Sequence, residues 1–571
     1  MRVTSASDKR RRGRLLWRLR QSAETDDDCV LLLVAAVPVW GPSRASAMLL
    51  APVVIFAPTL LAMVRLRSDA SSKRHSVCVI GAGVRCGAEL ARAGLAVTVV
   101  DKADAVGGRV RTDKHGGFQL DRGFQIFLAG YPESQACLDF DQLRLREFIP
   151  GAAVQLGDGR HMVADPLRRP RTLPSTLAFP IGSLPDKLRL VAAVLALKLR
   201  SLQSIFRDDD ETSTLSMLRD SWQLSPELIN TFFRPFFLGI FLAPIERQSS
   251  LLFKFVLKAF ADGAAALPED GMQAVPEQLA RQLERDGDGT SSVRLSTGVE
   301  RLVLAARPNE RIEVHLATGG GGERCIACDS LVLATPRPEA RRLLRDAGLE
   351  AATDARQATS TGGSAEDAQE DAQAEESAAW LVVGEEEEGR VALQSACVYF
   401  ALDHAPPVTE PILVLNGRQP ASYQANGHPA TPRPVVNTLC FPSIVSPSYA
   451  PEGRHLASVG IVGAPVAEAI RTKDEAALEV AARRELAEWF GADEIASWRH
   501  LRTYVLARAQ DARPPPNRGF NTPPRVAGAR GVYVCGDHCG TPSLNGALRS
   551  GRKAAEALLA DIGRGDEEDG T

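Results

Sequence analysis

Two glycines and an aspartate have the spacing of a dinucleotide-binding site. Gly81 and Gly83 directly follow a short β-branched run at 76–80, and Asp101 ends a second such run, twenty residues after the first glycine. Gly81 permits a tight turn, and Gly83 lets the backbone approach a pyrophosphate at a helix N-terminus, where unpaired N–H groups and the helix dipole favour an anion. The Asp101 carboxylate can accept hydrogen bonds from ribose hydroxyls. The pattern predicts a strand–helix–strand unit that binds an adenine dinucleotide.

One position departs from this pattern. The third glycine of such a motif belongs at position 86, where the chain has Cys86, and Gly87 follows one residue later. Two alternatives stay open: Gly87 takes over the close packing of helix against strand in a shifted register, or Cys86 packs there. An ordinary α/β turn that binds no nucleotide is the competing interpretation of the whole unit.

Other arrangements of reactive side chains are not convincing. Ten cysteines are scattered without the spacing of a disulfide framework, which favours a reducing compartment. Cys325 and Cys328 form a lone CxxC pair with no second ligand pair at a usable spacing, so we predict no metal site and expect two small buried residues. No Ser/His/Asp or Cys/His set stands out, which disfavours a hydrolase.

The elements that position these residues need more than one core. At 571 residues the chain predicts two or three domains, and a composition of 44% apolar and 24% charged residues is typical of a globular protein. The net charge is only −3 and basic residues are not interleaved with aromatic ones, so we expect no nucleic-acid partner. Oligomeric state is not indicated. The acidic stretch 351–390 reads as a disordered insertion, and 563–571 as an acidic tail.

Segment 1–75 is expected to be a targeting or membrane-proximal segment. Its basic start leads to an uncharged run, Ala47–Val64, that could span a bilayer, although Pro52 and Pro58 interrupt its backbone hydrogen bonding. The alternative is a cleaved targeting sequence, since Phe56-Ala57-Pro58 resembles the cleavage motif of preproteins entering plastids of secondary origin. The expected location is the plastid, with membrane association through the apolar segment as the alternative.

Beyond Asp101 the chain resembles the flavin-dependent amine oxidase superfamily, which includes protoporphyrinogen oxidases, phytoene desaturases and carotenoid isomerases. The similarity runs from about 76 to 560 and is closest to phytoene-dehydrogenase-like oxidoreductases. The motifs that carry it are Gly107-Gly108-Arg109, DRGFQIFLAGYPE at 121–133, ADPLRRP at 164–170, FFRPFFLGIFLAP at 232–244, FPSIVSPSYAPEGRH at 441–455 and GVYVCGDHCGTPSLNGALRSGRKAAEALL at 531–559. The family has about one more helical turn before the residue matching Gly94.

The resemblance implies FAD as the cofactor, held by residues from separated segments. The residue matching Arg109 lies along the FAD diphosphate, that matching Asp537 bonds the ribityl-phosphate part, and that matching Val299 meets adenine through its backbone. The helix after Ser543 points its N-terminus at the isoalloxazine. The predicted cofactor-binding residues are Gly81, Gly83, Asp101, Lys102, Gly107, Gly108, Arg109, Val299, Gly536, Asp537, Ser543 and Asn545.

The implied fold is α/β, with a Rossmann-type FAD-binding domain and an interleaved, mixed α+β substrate domain. The FAD-binding domain is expected to comprise residues 76–125, 291–350 and 521–562. The substrate domain is expected to comprise residues 126–290 and 391–520.

Two features of the substrate domain indicate a hydrophobic small-molecule substrate. Eight of the twenty phenylalanines lie within 232–260, where they could line a tunnel for a long apolar molecule or form a helical core. Residues 186–202 carry leucines at helical spacing with Lys and Arg nearby, which predicts an amphipathic helix. Such a helix either faces a core or makes peripheral contact with a membrane surface.

The resemblance places the turn formed by Asp121, Arg122, Gly123, Phe124 and Gln125 beside the flavin, so these are the flavin-proximal candidates. A purely structural turn with an Asp121–Arg122 salt bridge is the alternative. We predict an FAD-dependent oxidoreductase that transfers hydride from a hydrophobic substrate to flavin N5, with a carotenoid-like polyene preferred to a porphyrinogen or an amine. The alternatives are a redox-neutral carotenoid isomerase and a non-catalytic escort-like protein that binds prenyl lipids.

Overall fold

The computed structural model describes residues 74–568 apart from 82, 124–125, 158, 165–179, 208–209, 308–309, 318–323, 350–391, 419–433 and 517–521. All described residues belong to one unit, Lys73–Thr571. The apolar run Ala47–Val64, the acidic insertion and the flavin-proximal candidates Phe124 and Gln125 lie outside the described residues. Among the described helices, none has the length and hydropathy needed to cross a bilayer.

The strands of the described chain form five sheets. They are β1 (Ser76–Ile80), β2 (Ala96–Val100), β3 (Thr112–His115), β4 (Phe118–Asp121), β5 (Phe127–Leu128), β6 (Arg146–Glu147), β7 (Gly151–Leu156), β8 (Gly159–Ala164), β9 (Ala265–Leu267), β10 (Ser292–Arg294), β11 (Val299–Val303), β12 (Ile312–Leu316), β13 (Cys325–Cys328), β14 (Ser330–Leu333), β15 (Ala392–Leu402), β16 (Val414–Asn416), β17 (Val436–Cys440), β18 (His455–Val462), β19 (Arg499–Asp511) and β20 (Val532–Val534).

The helices surround these sheets. They are α1 (Val84–Arg92), α2 (Pro132–Cys137), α3 (Phe140–Leu143), α4 (Leu184–Leu199), α5 (Leu202–Phe206), α6 (Thr214–Ser216), α7 (Pro226–Leu228), α8 (Arg234–Phe241), α9 (Ser250–Asp262), α10 (Ala274–Asp286), α11 (Arg337–Asp346), α12 (Pro442–Val445), α13 (Ala464–Thr472), α14 (Ala476–Phe490), α15 (Ala492–Ser497) and α16 (Leu544–Glu568). Two π-helical turns, Met217–Ser221 and Ile229–Phe233, and two 3₁₀ turns, Pro447–Tyr449 and Asp537–Cys539, complete the set.

A five-stranded parallel sheet, in the order β10-β2-β1-β14-β20, carries the predicted dinucleotide motif. Four of the five residues of β1 are buried, as expected for a short β-branched strand that is covered on both faces. Because side chains alternate along a strand, Val77 and Val79 pack on α1, α10 and α16, whereas Cys78 and Ile80 pack on α11 and the antiparallel sheet β11-β12-β13. The α/β prediction is confirmed.

A second, seven-stranded sheet has the order β19-β15-β18-β17-β16-β7-β8 and is antiparallel except for the β16–β7 pair. Alternate residues of β15 again serve two cores. Tyr399 faces the phenylalanine-rich helices α8 and α9, and Phe400 faces α13 and α14. The strands of this sheet come from residues 151–164, 392–462 and 499–511, so the chain passes between the two sheets several times.

The phenylalanine-rich stretch is mainly core. Five of its eight rings are buried, and these are Phe233, Phe237, Phe241, Phe253 and Phe255. Stacked and edge-to-face contacts join them, such as Phe237 against Phe253 with ring centroids 4.2 Å apart. The remaining three, Phe232, Phe236 and Phe260, are only partly buried and pack against this core. The core alternative therefore holds for most of the cluster.

Two predicted helix boundaries are wrong. The helix expected over 186–202 begins at Leu184 and ends at Leu199, since Ser201 caps a separate short helix, α5. The last helix begins at Leu544 and continues to Glu568, beyond the end of the family resemblance near residue 560. Asp561 stabilises this extension, because it accepts hydrogen bonds from Tyr533 Oη at 2.7 Å and from the Arg525 guanidinium at 2.8 Å.

The irregular position in the first helix is resolved in favour of Gly87. A Cβ on Gly87 would lie 2.4 Å from Leu283 Cδ1 and 3.3 Å from Val99 Cγ2, so any side chain there would require Leu283 and Val99 to shift at this approach of α1 to α10 and β2. Cys86 is fully buried in the core on the same side of the sheet. Of the two alternatives, Gly87 therefore takes over the close packing, and Cys86 packs beside it in the core.

We expect Gly87→Ala to lower the free energy of unfolding by up to about 2 kcal/mol. The cost of overpacking should outweigh the roughly 1 kcal/mol that alanine gains over glycine in a helix. Gly563→Ala is the matched control, because Gly563 is also helical and a Cβ there meets nothing within 4 Å. Urea unfolding followed by circular dichroism measures both. Equal stability of the Gly87→Ala and wild-type proteins would contradict the packing assignment.

Candidate active site

The carboxyl ends of the parallel strands bring together residues that are far apart in the chain. Gly81 follows β1 and Asp101 follows β2, while Thr335 and Gly536 lie two residues after β14 and β20. Neighbouring parallel strands end at the same edge of a sheet, and ligands of open α/β sheets bind outside that edge. Three separate stretches of chain therefore supply the residues at one rim.

The two glycines of the first turn approach the loop after β14 closely. Gly81 has a φ of +89°, and a Cβ there would lie 2.7 Å from the carbonyl oxygen of Ala334. A Cβ on Gly83 would lie 2.5 Å from Ala334 Cβ. Gly83 is also the N-cap of α1 and has no side chain to accept hydrogen bonds from the first-turn N–H groups. The first N–H groups of this helix therefore have no capping side chain in the described structure, and such a helix end can bind an anion.

Asp101, Lys102 and Val299 are brought to the same part of the rim. The backbone N–H of Thr297 donates to the Asp101 carbonyl at 2.8 Å, and a Cβ on Gly298 would lie 3.9 Å from Lys102 Cβ. Asp101 Oδ1 accepts a hydrogen bond from the Ala103 N–H at 2.8 Å, which orients the carboxylate at the end of β2.

Arg109 and Asp537 form an ion pair between the first and last segments. Arg109 Nη2 lies 2.5 Å from Asp537 Oδ1, and Arg109 Nη1 donates to the Ala509 carbonyl at 2.6 Å. Burial alone would raise the pKa of Asp537. The charge and hydrogen bond of Arg109 lower it by more than burial raises it, so the pKa of Asp537 is below its ordinary value. The Asp537 charge raises the pKa of Arg109. Gly107 and Gly108, both with positive φ, form the turn that presents Arg109.

Position 536 has no room for a side chain, because the His538 ring lies against it. The φ of Gly536 is +148°, and a Cβ there would lie 2.5 Å from the His538 ring. His538 is buried, and burial lowers its pKa to about 4, although the nearby Asp537 charge raises it in part. The imidazole is therefore neutral at pH 7, and Asp537 has Arg109 as its charged partner.

Ser543 and Asn545 lie at the start of α16. Ser543 Oγ accepts a hydrogen bond from the Gly546 N–H at 3.1 Å and so caps the helix. Asn545 is buried, and its Oδ1 accepts from the Glu133 N–H at 3.1 Å. Glu133 also pairs with Arg552 at 2.7 Å. Asn545 thus has a structural role in joining α16 to α2.

The Asp121–Arg122 salt bridge proposed as an alternative is wrong. Arg122 pairs with Asp113 at 2.9 Å, across the β3–β4 hairpin, and Asp121 points the other way into the core. Thr112 Oγ1, the Met272 N–H and Tyr449 Oη donate to the Asp121 carboxylate at 2.5, 3.0 and 3.0 Å. Burial raises the pKa of Asp121 to about 6, and these hydrogen bonds offset part of the increase. The next residue but one, Gly123, has a φ of +87° and approaches Leu506.

Sequence reasoning missed the tyrosines around this turn. Tyr399 Oη donates to the Asp121 carbonyl at 2.9 Å, Tyr449 Oη to its carboxylate, and Tyr504 Oη to Asp113 Oδ2 at 2.7 Å. Burial raises the pKa of both Tyr399 and Tyr449. Tyr449 lies within the motif at 441–455 and could have been singled out there, whereas Tyr399 lies in an apolar strand that offers no signal.

The CxxC pair lies on β13, where residues three apart point to opposite faces. Cys328 is buried, as expected, but Cys325 is partly exposed beside His315 and Glu313. One ligand atom from each of these three residues lies within 4.8 Å of the others. However, Arg301 Nη2 lies 3.3 Å from His315 Nδ1, which is unfavourable for a divalent cation.

The raised pKa of Asp121 predicts a pH-dependent stability. Between about pH 4 and pH 6 the native carboxyl retains a proton that the unfolded chain releases, so the free energy of unfolding falls as the pH rises, by at most about 3 kcal/mol. Asp121→Asn should lack this dependence. Urea unfolding at several pH values should show the wild-type stability falling relative to that of the variant across this interval. A difference that stays constant with pH would contradict the assignment. The exposed control Asp220→Asn should not show this fall, because the hydrogen bond from Arg219 lowers the pKa of Asp220.

Comparison with known proteins agrees with this geometry. A family model described as flavin containing amine oxidoreductase matches residues 82–365 and 395–559. No curated protein matches the chain.

Three solved structures illustrate the shared fold, at identities too low to transfer more than the fold. An oxidoreductase from Methanosarcina mazei has a TM-score of 0.59 and 16% identity, covering 84% of this chain and 100% of that one. A candidate protoporphyrinogen oxidase from Exiguobacterium sp. 255-15 has a TM-score of 0.55 and 16% identity, covering 86% and 99%. Cyclohexylamine oxidase from Brevibacterium oxydans has a TM-score of 0.51 and 15% identity, covering 86% and 100%.

The match spans most of the chain and includes all three stretches that meet at the rim of the parallel sheet. The chain therefore belongs to the flavin-containing amine oxidoreductase family and is an FAD-dependent oxidoreductase.

Proposed function

We propose that the parallel sheet is a Rossmann-type FAD-binding domain and that FAD lies along its carboxyl rim. The residues at the rim fit this cofactor. Gly81 and Gly83 form a surface that any side chain would obstruct, and Thr335 Oγ1, beside Gly81, is buried without a hydrogen-bond partner among the described residues. A bound dinucleotide would supply acceptors for Thr335 and for the first N–H groups of α1.

Each end of the dinucleotide has a set of residues suited to it. Asp101, with its carboxylate oriented by Ala103, would hold the adenosine ribose, and Lys102 and the Val299 backbone would flank the adenine side. The α1 N-terminus and Arg109 would hold the diphosphate. Asp537 would hold the ribityl part, and the Ser543-capped start of α16 would face the ring system.

The Arg109–Asp537 ion pair is the single observation that carries this assignment. The pair joins the first and last segments where the diphosphate and ribityl parts of FAD would meet. It also lowers the free-energy cost of taking each charge out of water without a partner. Arg109 remains 44% exposed, so its fork can reach a phosphate oxygen while Asp537 turns toward hydroxyl groups.

When bound, FAD supplies the acceptor for a hydride removed from a substrate carbon. The protein then needs to orient that C–H bond and exclude water. The Asp121–Gly123 turn is suited to this task, because Tyr399, Tyr449 and Thr112 hold it rigidly and Gly123 permits close backbone approach. Asp121 itself acts as a positioning residue, since it is buried and its carboxylate accepts hydrogen bonds from Thr112, Met272 and Tyr449.

The substrate is proposed to be hydrophobic, with a carotenoid-like polyene preferred to a porphyrinogen or an amine. Phe232, Phe236 and Phe260 support this proposal. Phe232 stacks on Phe236 with centroids 5.6 Å apart, and Phe236 lies 5.4 Å from Phe260. All three remain partly exposed, so they offer an aromatic surface to a long apolar molecule.

Two alternative functions, a carotenoid isomerase and an escort-like protein, would give different results in the tests below. A carotenoid isomerase would use the same cofactor and leave the mass of the substrate unchanged. An escort-like protein would bind a prenyl lipid and no FAD.

Asp537→Asn should weaken FAD binding by about tenfold or more, equivalent to at least about 1.4 kcal/mol, because it removes one charge of the pair that organises the rim. Fluorescence titration of the apoprotein with FAD measures the dissociation constant. The control is Glu468→Gln, which breaks an exposed ion pair with Arg471 on α13 and should have no effect. Unchanged affinity in the Asp537→Asn variant would contradict the assignment of the rim.

The substrate class is tested by anaerobic mixing of the FAD-loaded enzyme with a polyene in detergent, a porphyrinogen, putrescine and cyclohexylamine. We expect the polyene to bleach the flavin absorbance, with a product that has lost two hydrogens by mass spectrometry. Bleaching by an amine alone would contradict the proposed substrate. A polyene product of unchanged mass would replace dehydrogenation with isomerisation.

A further inference from the structure

The exposed face of helix α4 consists of apolar side chains. Leu184, Leu188, Leu195 and Leu199 are 58, 63, 45 and 90% exposed. They are four of the six large hydrophobic residues that are exposed in the described part of the chain, the others being Val303 and Val480. Ala192 and Ala196 are exposed on the same helix. Such a concentration on one short element marks an interaction surface.

The four leucines form one stripe along the helix. At about 100° per residue, their positions fall within a sector of roughly 60°. The opposite side of the helix is anchored to the protein. Leu197 is buried and Leu190 packs against the phenylalanine-rich core, where α4 lies on α9. The stripe is therefore held outward by a fixed platform.

Basic residues flank the stripe on both sides. On the same projection, Lys187 and Lys198 lie about 40–60° to one side, and Arg189 lies beyond the other. Arg189 donates to the Gln223 carbonyl at 2.8 Å and Lys198 to the Ala261 carbonyl at 3.1 Å, and both acceptors are neutral. The charges are therefore not cancelled by these contacts.

No exposed acid opposes these charges on the helix. Its one acidic residue, Asp186, is buried and accepts hydrogen bonds from Ser183 and Ser225 at the helix N-terminus. The outer surface of α4 thus combines a leucine stripe with positive flanks. This combination suits the boundary between lipid tails and anionic headgroups.

We propose that α4 docks the protein on the surface of a bilayer that contains anionic lipids. The leucines would enter the boundary of the acyl region, while Arg189 and Lys198 on either side of the stripe would meet the headgroups. A second copy of the chain is a poorer partner for this face. Antiparallel or parallel pairing of two α4 helices would bring positive flanks together.

Docking has a consequence for the substrate that rests on the proposed function. The face of α9 that receives α4 belongs to the same aromatic cluster as Phe260, so a lipid-soluble substrate could pass from the membrane toward the partly exposed rings of Phe232, Phe236 and Phe260. Docking itself does not depend on the identity of the substrate or on FAD.

The test is amide hydrogen exchange of the full-length protein with and without vesicles of phosphatidylcholine and anionic phosphatidylglycerol. The matched variants are Leu188→Glu and Val480→Glu, since both wild-type side chains are 63% exposed on helices. We expect vesicles to slow exchange within 184–199 in the wild type and in Val480→Glu. In Leu188→Glu this protection should disappear, and the partition coefficient measured by flotation should fall about tenfold.

Three outcomes would overturn the proposal: no protection of 184–199 by the vesicles, equal protection in Leu188→Glu, or protection without vesicles that accompanies a dimer in sedimentation. Flavin absorbance recorded on the same samples distinguishes this failure from failure of the proposed function. If the protein binds FAD but not vesicles, only the docking proposal is contradicted. If it is colourless but binds vesicles, only the proposed function is contradicted.

Discussion

The close approach of the first glycine turn to the loop after β14 is the constraint on which the cofactor site depends. Gly83 and Ala334 are separated by about 250 residues, yet a single methyl group on Gly83 would lie 2.5 Å from Ala334 Cβ. The same rim is closed from the other side by Asp537, whose ion pair with Arg109 joins the last segment to the first. Sterics set how near the segments come, and this ion pair sets their relative position.

Burial distinguishes the roles of the charged groups near the site. Asp537 has a cationic partner and a lowered pKa, so it remains an anion that can face hydroxyl groups of a cofactor. Asp121 has only neutral donors and a pKa raised to about 6, which suits a group that holds the β4 turn. Of the two tyrosines that donate to Asp121, Tyr399 lies on β15 of the seven-stranded sheet and Tyr449 lies in the 3₁₀ turn Pro447–Tyr449, so these hydrogen bonds join the β3–β4 hairpin to the seven-stranded sheet.

Local patterns predicted the strands of the cofactor domain well. β1 has the expected bounds and β2 ends directly before Asp101 as expected, because buried parallel strands leave a clear signature in residue type. Long-range contacts were not predictable. Nothing in the sequence links Arg122 to Asp113 rather than to Asp121, or places Tyr399 beside that turn, since both depend on how distant strands align. The leucines of α4 had the right period, but periodicity alone cannot tell a core-facing stripe from an exposed one.

The claim that three separated segments bind one flavin is tested most directly by the FAD content of the purified full-length protein. Absorbance of the native protein and of the FAD released on denaturation gives the ratio of cofactor to chain. The account predicts a yellow protein with one FAD per chain, or an apoprotein that reaches this ratio on reconstitution. A colourless protein that takes up no FAD would contradict it.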